Sequence, residues 1–497
     1  MFRTTMIPAL LICHTLVAQA PANVKNLSLR EAIRISMENN LQVEIARETR
    51  AVAQSNVDVN LGEFDWVLNG NVQTAEQDFA VESSTAGNKL EGTSWNRSLT
   101  VGARKPFAWG GNLEFNYAPD YFRQETDFST TAHPYGSGDT RGSGLSATYT
   151  QSLLRGFGRE ATEANVIVAR KGSQAAEYQY QQAIIELVAN TESLYWNVVY
   201  AQQNLANKQK ALELAEKQLR ENKIRVEVGT LAPIEVNSAE AAVAQQEQEI
   251  ILAEVQLRNA EDALMRALYP GPGKPEGIVT TDSPTISHVT LDPEAGERTA
   301  LARRVELKAA RLDLESKAVQ RRAAENFTKP QLDAYVGYTG NSYRHDNLQG
   351  VNQDLTEFKY PGYMVGLSLS IPLENRTAKG NLAAARANER GSEFSMRDQE
   401  LGISLEVRQA FRNVEAATKG MEATRKTRIF REKDLEAEQK KFDNGMSTNF
   451  LVLSKQNDLD SARSSELQAQ IVYAKAVTAA EKAVGNLLEA RGFQYPE

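Results

Sequence analysis

Asn165-Val-Ile-Val-Ala-Arg170 and Asn381-Leu-Ala-Ala-Ala-Arg386 lie 216 positions apart, and the same shift, without a gap, carries Gly229 onto Gly445. Between these anchors both stretches carry one heptad track. It reads Thr191, Val198, Leu205, Leu212, Leu219, Val226 in the first, and Val407, Val414, Met421, Arg428, Leu435, Phe442 in the second. A mostly apolar seven-residue period kept over this length is the pattern of long supercoiled helices, and a duplication on this scale takes precedence over any other fold reading. The heptads resume after each glycine: Val236, Val243, Ile250, Leu257 and Leu264 in the first copy, and Ala462, Ala469, Ala476 and Ala483 in the second. Each copy therefore reads as an outgoing helix, a break at the glycine, and a returning helix. At ~1.5 Å per residue an outgoing helix over about residues 160–227 would run on the order of 100 Å. Taken alone, the helices fit a structural coiled-coil rod equally well.

Upstream of each hairpin the two halves match again. Gln42-Val-Glu-Ile-Ala-Arg47 lies over Glu306-Leu-Lys-Ala-Ala-Arg311 at a shift of 264. Each half is thus expected to open with a helix, over 27–61 and 298–326. Ser28 is the candidate N-cap of the first, with Glu31 completing a capping box. The two shifts differ by 48 residues, and the difference must fall between opening helix and hairpin.

In that interval the period drops from 3.5 to 2. Trp66-Val-Leu-Asn-Gly-Asn-Val72, Ser98-Leu-Thr-Val-Gly-Ala103, Asn112-Leu-Glu-Phe-Asn-Tyr117 and Leu145-Ser-Ala-Thr-Tyr149 alternate as strands do. Strands are expected over 64–154, with a long polar loop from Thr126 to Gly144. In the second half Gln331–Tyr338 and Tyr363–Ile371 give two more over 331–372, joined by a polar loop from Asn341 to Tyr360. The residues allow four to six strands in all. Alternating strands with aromatic ends and unequal loops suit a transmembrane barrel, and they also suit a small soluble β-domain.

The remaining features bound the function. The chain has 497 residues and a formal net charge of −8 with no basic tract, which gives no support for nucleic-acid binding. Arg3, the apolar run Met6–Val17 and the small residues around Ala22 read as a signal peptide over 1–22, cleaved after Ala22. Cys13, the one cysteine, lies inside it. No later stretch is apolar enough for a helical membrane span, but β-barrel strands escape that criterion. No catalytic or metal-binding constellation is found and no cofactor is expected. His133, His288 and His345 are isolated in loop-like segments and are expected to be solvated. Tyr269-Pro-Gly-Pro-Gly-Lys-Pro-Glu-Gly277 ends the first repeat (23–275). A connector (276–297) then leads to the second (298–497), with hairpins expected over 159–268 and 376–490.

This order resembles the TolC family of outer-membrane efflux proteins over essentially the whole chain after the signal. Thr150-Gln-Ser-Leu-Leu-Arg-Gly-Phe-Gly158 and Ser370-Ile-Pro-Leu373 look like its two strand-to-helix junctions, the first with Ser152 where the family usually has proline. Val228-Gly-Thr-Leu-Ala-Pro-Ile-Glu-Val236 and Asn444-Gly-Met-Ser-Thr-Asn-Phe-Leu-Val-Leu453 resemble its hairpin tips. The resemblance implies an α+β fold of two tandem repeats, and a homotrimer forming one outer-membrane β-barrel on a periplasmic α-helical barrel. The family usually supplies four strands per protomer. The partners it implies are outer-membrane lipid, a periplasmic adaptor (membrane fusion protein) and an inner-membrane pump. Val228, Gly229, Thr230, Asn444, Gly445 and Met446 are then expected to meet the adaptor. Acidic residues that family members often place six and nine positions after each tip glycine are here Glu235, Ser238, Leu451 and Ser454, which leaves Glu235 as the candidate for the periplasmic entrance. Two functions compete: an export duct in a tripartite efflux or type I secretion system, and a non-transport envelope spacer or stalk.

Overall fold

The computed structural model describes residues 26–82, 89–127, 138–271, 277–284, 292–343 and 345–495. The signal peptide with Cys13, His133, His288 and the middle of the first polar loop fall outside them. In chain order the first half contains β1 (Asn26–Leu27), α1 (Leu29–Asn39), α2 (Leu41–Leu61), a 3-10 turn, and strands β2 (Val67–Glu82), β3 (Lys89–Pro106), β4 (Gly111–Asp127) and β5 (Gly138–Ser152). Then come the short α3 (Arg159–Thr162), the long α4 (Ala164–Glu227), its return α5 (Ile234–Leu268), and β6 (Val279–Thr280). The second half contains α6 (Pro293–Arg303), α7 (Val305–Asn326), β7 (Gln331–Asn341), α8 (Leu348–Thr356), β8 (Tyr360–Ser370), α9 (Arg376–Asp443), α10 (Asn449–Val484) and α11 (Leu487–Ala490). The chain divides into two compact units, one of residues 1–50, 177–309 and 397–497, the other of 51–176 and 310–396.

The first unit is helical, and its core shows the repeat in three dimensions. Val198 and Leu264 are buried with Leu27, Ala32 and Tyr195, and their counterparts 216 positions on, Val414 and Ala480, are buried with Ala300, Leu307 and Phe411. The first heptad track is buried at Thr191 and Val198, but nearer the hairpin's end the fully covered positions become Ala215, Gln218 and Asn222. Arg428, the one charged residue on the second track, is held there by Glu466 on α10 at 2.5 Å and Glu432 at 2.8 Å.

Each expected opening helix is two helices. The break falls at Asn40 (ψ 127°) in one half and at Arg304 (ψ 125°) in the other, 264 positions apart. Neither proline nor glycine marks these breaks; polar side chains satisfy the backbone there. Asn40 accepts from the Gln42 N–H at 2.8 Å and donates to the Ala267 carbonyl at 2.9 Å. Arg304 pairs with Glu306 at 2.7 Å and reaches the Ala483 carbonyl at 3.5 Å. Ala267 and Ala483 are themselves repeat equivalents, so two unlike residues brace the same joint. Ser28 caps α1 as expected, accepting from the Glu31 N–H at 3.3 Å, but the Glu31 carboxylate pairs with Arg34 instead of closing the capping box.

The second unit carries one six-stranded sheet, ordered β2-β3-β4-β5-β7-β8, with every neighbouring pair antiparallel. The polar stretch 341–360 is not a bare loop. It contains α8, with Val351 fully buried, and its backbone pairs with the top of β5, His345 N–H to Arg141 carbonyl at 2.9 Å. His345 is correspondingly not a free solvated side chain: its Nε2 lies 2.6 Å from Asp354 Oδ2.

Candidate functional site: paired hairpin tips and a two-faced sheet

Both hairpins of the helical unit turn by one geometry. Gly229 has φ 76° and Gly445 φ 69°, the left-handed region where a side chain is strained. The glycine N–H donates to the carbonyl three residues back, Val226 or Phe442, at 3.0 Å in both. The next N–H, of Thr230 or Met446, donates to the carbonyl five back, Arg225 or Lys441, at 2.8 Å in both. These are two superimposable Schellman caps. The returning helices start differently. Thr448 caps α10 through its side chain, whereas Pro233 precedes α5 with no side-chain cap.

All six residues singled out at the tips, Val228, Gly229, Thr230, Asn444, Gly445 and Met446, are exposed. Sequence reasoning overlooked two large neighbours. Ile234 and Phe450, each five positions past its glycine, are 64% and 72% exposed. The repeat alignment contained that signal, because the two positions are equivalent and both apolar.

Beneath the tips lies a buried amide network that no motif announced. Gln218 donates to Asn222 at 2.9 Å and to Asn449 at 3.2 Å. Asn449 in turn donates to Glu235 Oε2 at 3.2 Å. Glu235 is therefore half-buried and tied to the other hairpin. Arg225 adds a second tie, to Asp443 at 2.8 Å, with its guanidinium 4.4 Å from the Phe442 ring centre. The hairpin ends are held as a pair, so their exposed apolar side chains keep a fixed spacing.

The sheet has one apolar face. The pairing register places Leu68 and Val72 of β2, Leu99 and Val101 of β3, and Leu113 and Phe115 of β4 on one side. The same side continues through Leu145 and Ala147 of β5, Ala334 and Val336 of β7, and Val365, Leu367 and Leu369 of β8. The other side presents Asn69 and Asn71, Ser98 and Thr100, Asn112 and Asn116, Thr148 and Thr150, then Ser368 and Ser370. Aromatic residues bound the apolar zone. Near the helix-proximal strand ends, Phe107 stacks on Trp109 at 4.5 Å, and Trp109 Nε1–H donates to the Tyr149 hydroxyl at 2.9 Å. Towards the other end Tyr338 and Tyr363 pack 5.7 Å apart. An apolar band between aromatic girdles, backed by a polar face, is what a strand in a barrel wall shows to lipid on one side and water on the other. Among the described residues no helix is long and apolar enough to cross a membrane, and no His, Cys, Asp or Glu cluster could hold a metal ion.

Comparison with known proteins agrees with this geometry. The sequence model of the family described as "Outer membrane efflux protein" matches residues 112–268 and 298–486, one stretch in each repeat. The chain is 25% identical over 324 residues to the outer membrane protein TolC of Vibrio cholerae, covering 65% of this chain and 72% of that protein. It is 26% identical over 330 residues to TolC of Escherichia coli K12, covering 64% of each. In three dimensions it matches the open state of the Neisseria gonorrhoeae MtrE outer membrane channel with a TM-score of 0.65, at 17% identity, over 93% of this chain and 89% of that one.

Proposed function

The chain belongs to the outer membrane efflux protein family, and on that premise we propose that three copies assemble into an export duct, a β-barrel in the outer membrane continued by a helical barrel in the periplasm. The observation that carries this reading is the sheet with one lipid-type and one water-type face, joined in each repeat to a long helical hairpin. A single copy leaves both sheet edges open, which the hydrocarbon region does not tolerate. It also exposes Ile251, Leu252 and Val255 on α5, and Leu401 and Leu405 on α9, apolar surface suited to burial against further copies.

The duct acts by lining and gating, with no bond chemistry assigned to it. It receives small molecules or proteins from an inner-membrane pump through a periplasmic adaptor, in a tripartite efflux or type I secretion system. The adaptor docks on Val228, Gly229, Thr230, Asn444, Gly445 and Met446, and we add Ile234 and Phe450 to that contact. Glu235 lies near the periplasmic entrance, where its bond to Asn449 makes it part of the latch between hairpins. A spacer or stalk would need neither the polar sheet face nor fixed apolar tips.

Detergent-extracted protein is expected to be a trimer by light scattering. Thr230→Arg and Met446→Arg keep both glycines, so they are expected to leave outer-membrane trimers normal while abolishing export and adaptor crosslinking. Normal export from both variants would refute the tip contact, and a stable monomer soluble without detergent would refute the assembly.

A further inference from the structure

We propose that the β2–β3 hairpin is part of the barrel wall, and that the open edge of β2 pairs with the open edge of β8 in a second copy of this chain, so that three copies close an eighteen-stranded barrel. The inference rests on the trimeric-barrel reading above and goes beyond it. The family match begins at residue 112, inside β4, so both strands of this hairpin lie outside the matched stretches. The hairpin could therefore be an appendage standing in water over the mouth of a narrower barrel.

Three observations place it in the wall. The first is the facing of its side chains. The register puts Leu68 on the same face, and at the same level, as Phe115 of β4, with Val72 further along that face, and the polar Asn69 and Asn71 on the same face as Asn116 and Asn112. A hairpin surrounded by water gains nothing from an apolar face, yet Leu68 and Val72 are 77% and 78% exposed. The charged residues of β2, Glu76, Asp78 and Glu82, lie only beyond this zone, where a strand longer than the bilayer would emerge.

The second observation is direction. Five successive antiparallel pairings leave β2 and β8 running opposite ways. A β8 edge meeting a β2 edge thus continues the antiparallel pattern without a mismatch, and three six-stranded sheets give eighteen strands. The third is the edges themselves. The eleven residues of β8 carry no charge, and neither do residues 67–75 of β2. Exposed edges of soluble sheets are blunted by charged residues; these two are left ready to pair. A barrel of 16–18 strands encloses an aqueous channel, and the hairpin contributes Asn69, Asn71, Ser98 and Thr100 to its lining, with Arg104 on the same face bonded to Asn112 at 3.0 Å.

The test is site-directed crosslinking in outer membranes, in a Cys13→Ser background that removes the one cysteine. Val72→Cys is paired in turn with Val365→Cys, Leu367→Cys and Leu369→Cys, and Phe115→Cys on β4 is paired with the same three. With the hairpin in the wall, a short bifunctional thiol reagent links at least one β2–β8 pair into covalent dimers and trimers, and no β4–β8 pair. Links between β4 and β8 would show that the wall closes without the hairpin, overturning the inference while the trimeric duct stands. A trimer that links in neither set would also overturn it, because β2 then has no copy beside it. Monomers by light scattering, linking in neither set, would instead remove the assembly on which the inference rests.

Discussion

Arg491 sits between two carboxylates, Glu192 at 2.9 Å and Glu481 at 2.7 Å, with the Glu192 side chain almost fully buried. Burial pushes the Glu481 carboxyl above its usual range, against the pull of Arg491. Arg491→Met leaves two partly desolvated acids facing each other and is expected to cost roughly 3–5 kcal/mol, as breaking a buried pair does; thermal unfolding of the variant measures it. The His345–Asp354 contact that fastens α8 is expected to respond to pH. His345, then Lys359 and the Tyr343 N–H, hold the Asp354 carboxyl down at about 2. A depressed carboxylate stabilises the fold above its ordinary pKa of ~4 and loses that contribution as pH falls through the folded value. The protection factors of the amides over residues 345–359, corrected for the intrinsic exchange rate at each pH, are therefore expected to fall between pH ~4 and 2, and those of Asp354→Asn to be low already at neutral pH. The sequence hid this cluster because its members come together only when α8 folds back. His345 looked isolated for that reason.

At the scale of elements, the two hairpins were legible because a repeat doubles every weak signal. One glycine among heptads is ambiguous, whereas Gly229 and Gly445 in register are a turn seen twice. An added Cβ at either would meet no atom within 4 Å, so the need for glycine is conformational. Gly229→Ala and Gly445→Ala are each expected to cost about 1–2 kcal/mol, the left-handed penalty, lowering the temperature at which trimers dissociate on gels. The strands were legible by alternation, and their register was not: only pairing reveals that Leu68, Phe115 and Tyr363 share a face. The breaks at Asn40 and Arg304 were missed because long-range bonds to Ala267 and Ala483 make them, and local propensity does not. The amide latch of Gln218, Asn222 and Asn449 escaped for a similar reason: an Asn or Gln on a helix reads as solvated surface until a second helix covers it.

For the molecule as a whole, the family was readable from the order of elements and the paired spacings, and the number of strands was not. The 48-residue difference between the halves is spent on β2 and β3, which alternate as wall strands do but lie outside the family's matched stretches. The polar face of the sheet, rich in Asn, Ser and Thr, has a purpose only if water runs along it, which a spacer does not require. The most direct measurement is conductance. Trimers purified from the outer membrane and added to a planar lipid bilayer should insert as discrete, uniform conductance steps. Trimers that fractionate with the outer membrane, yet insert without producing any step, would contradict the account.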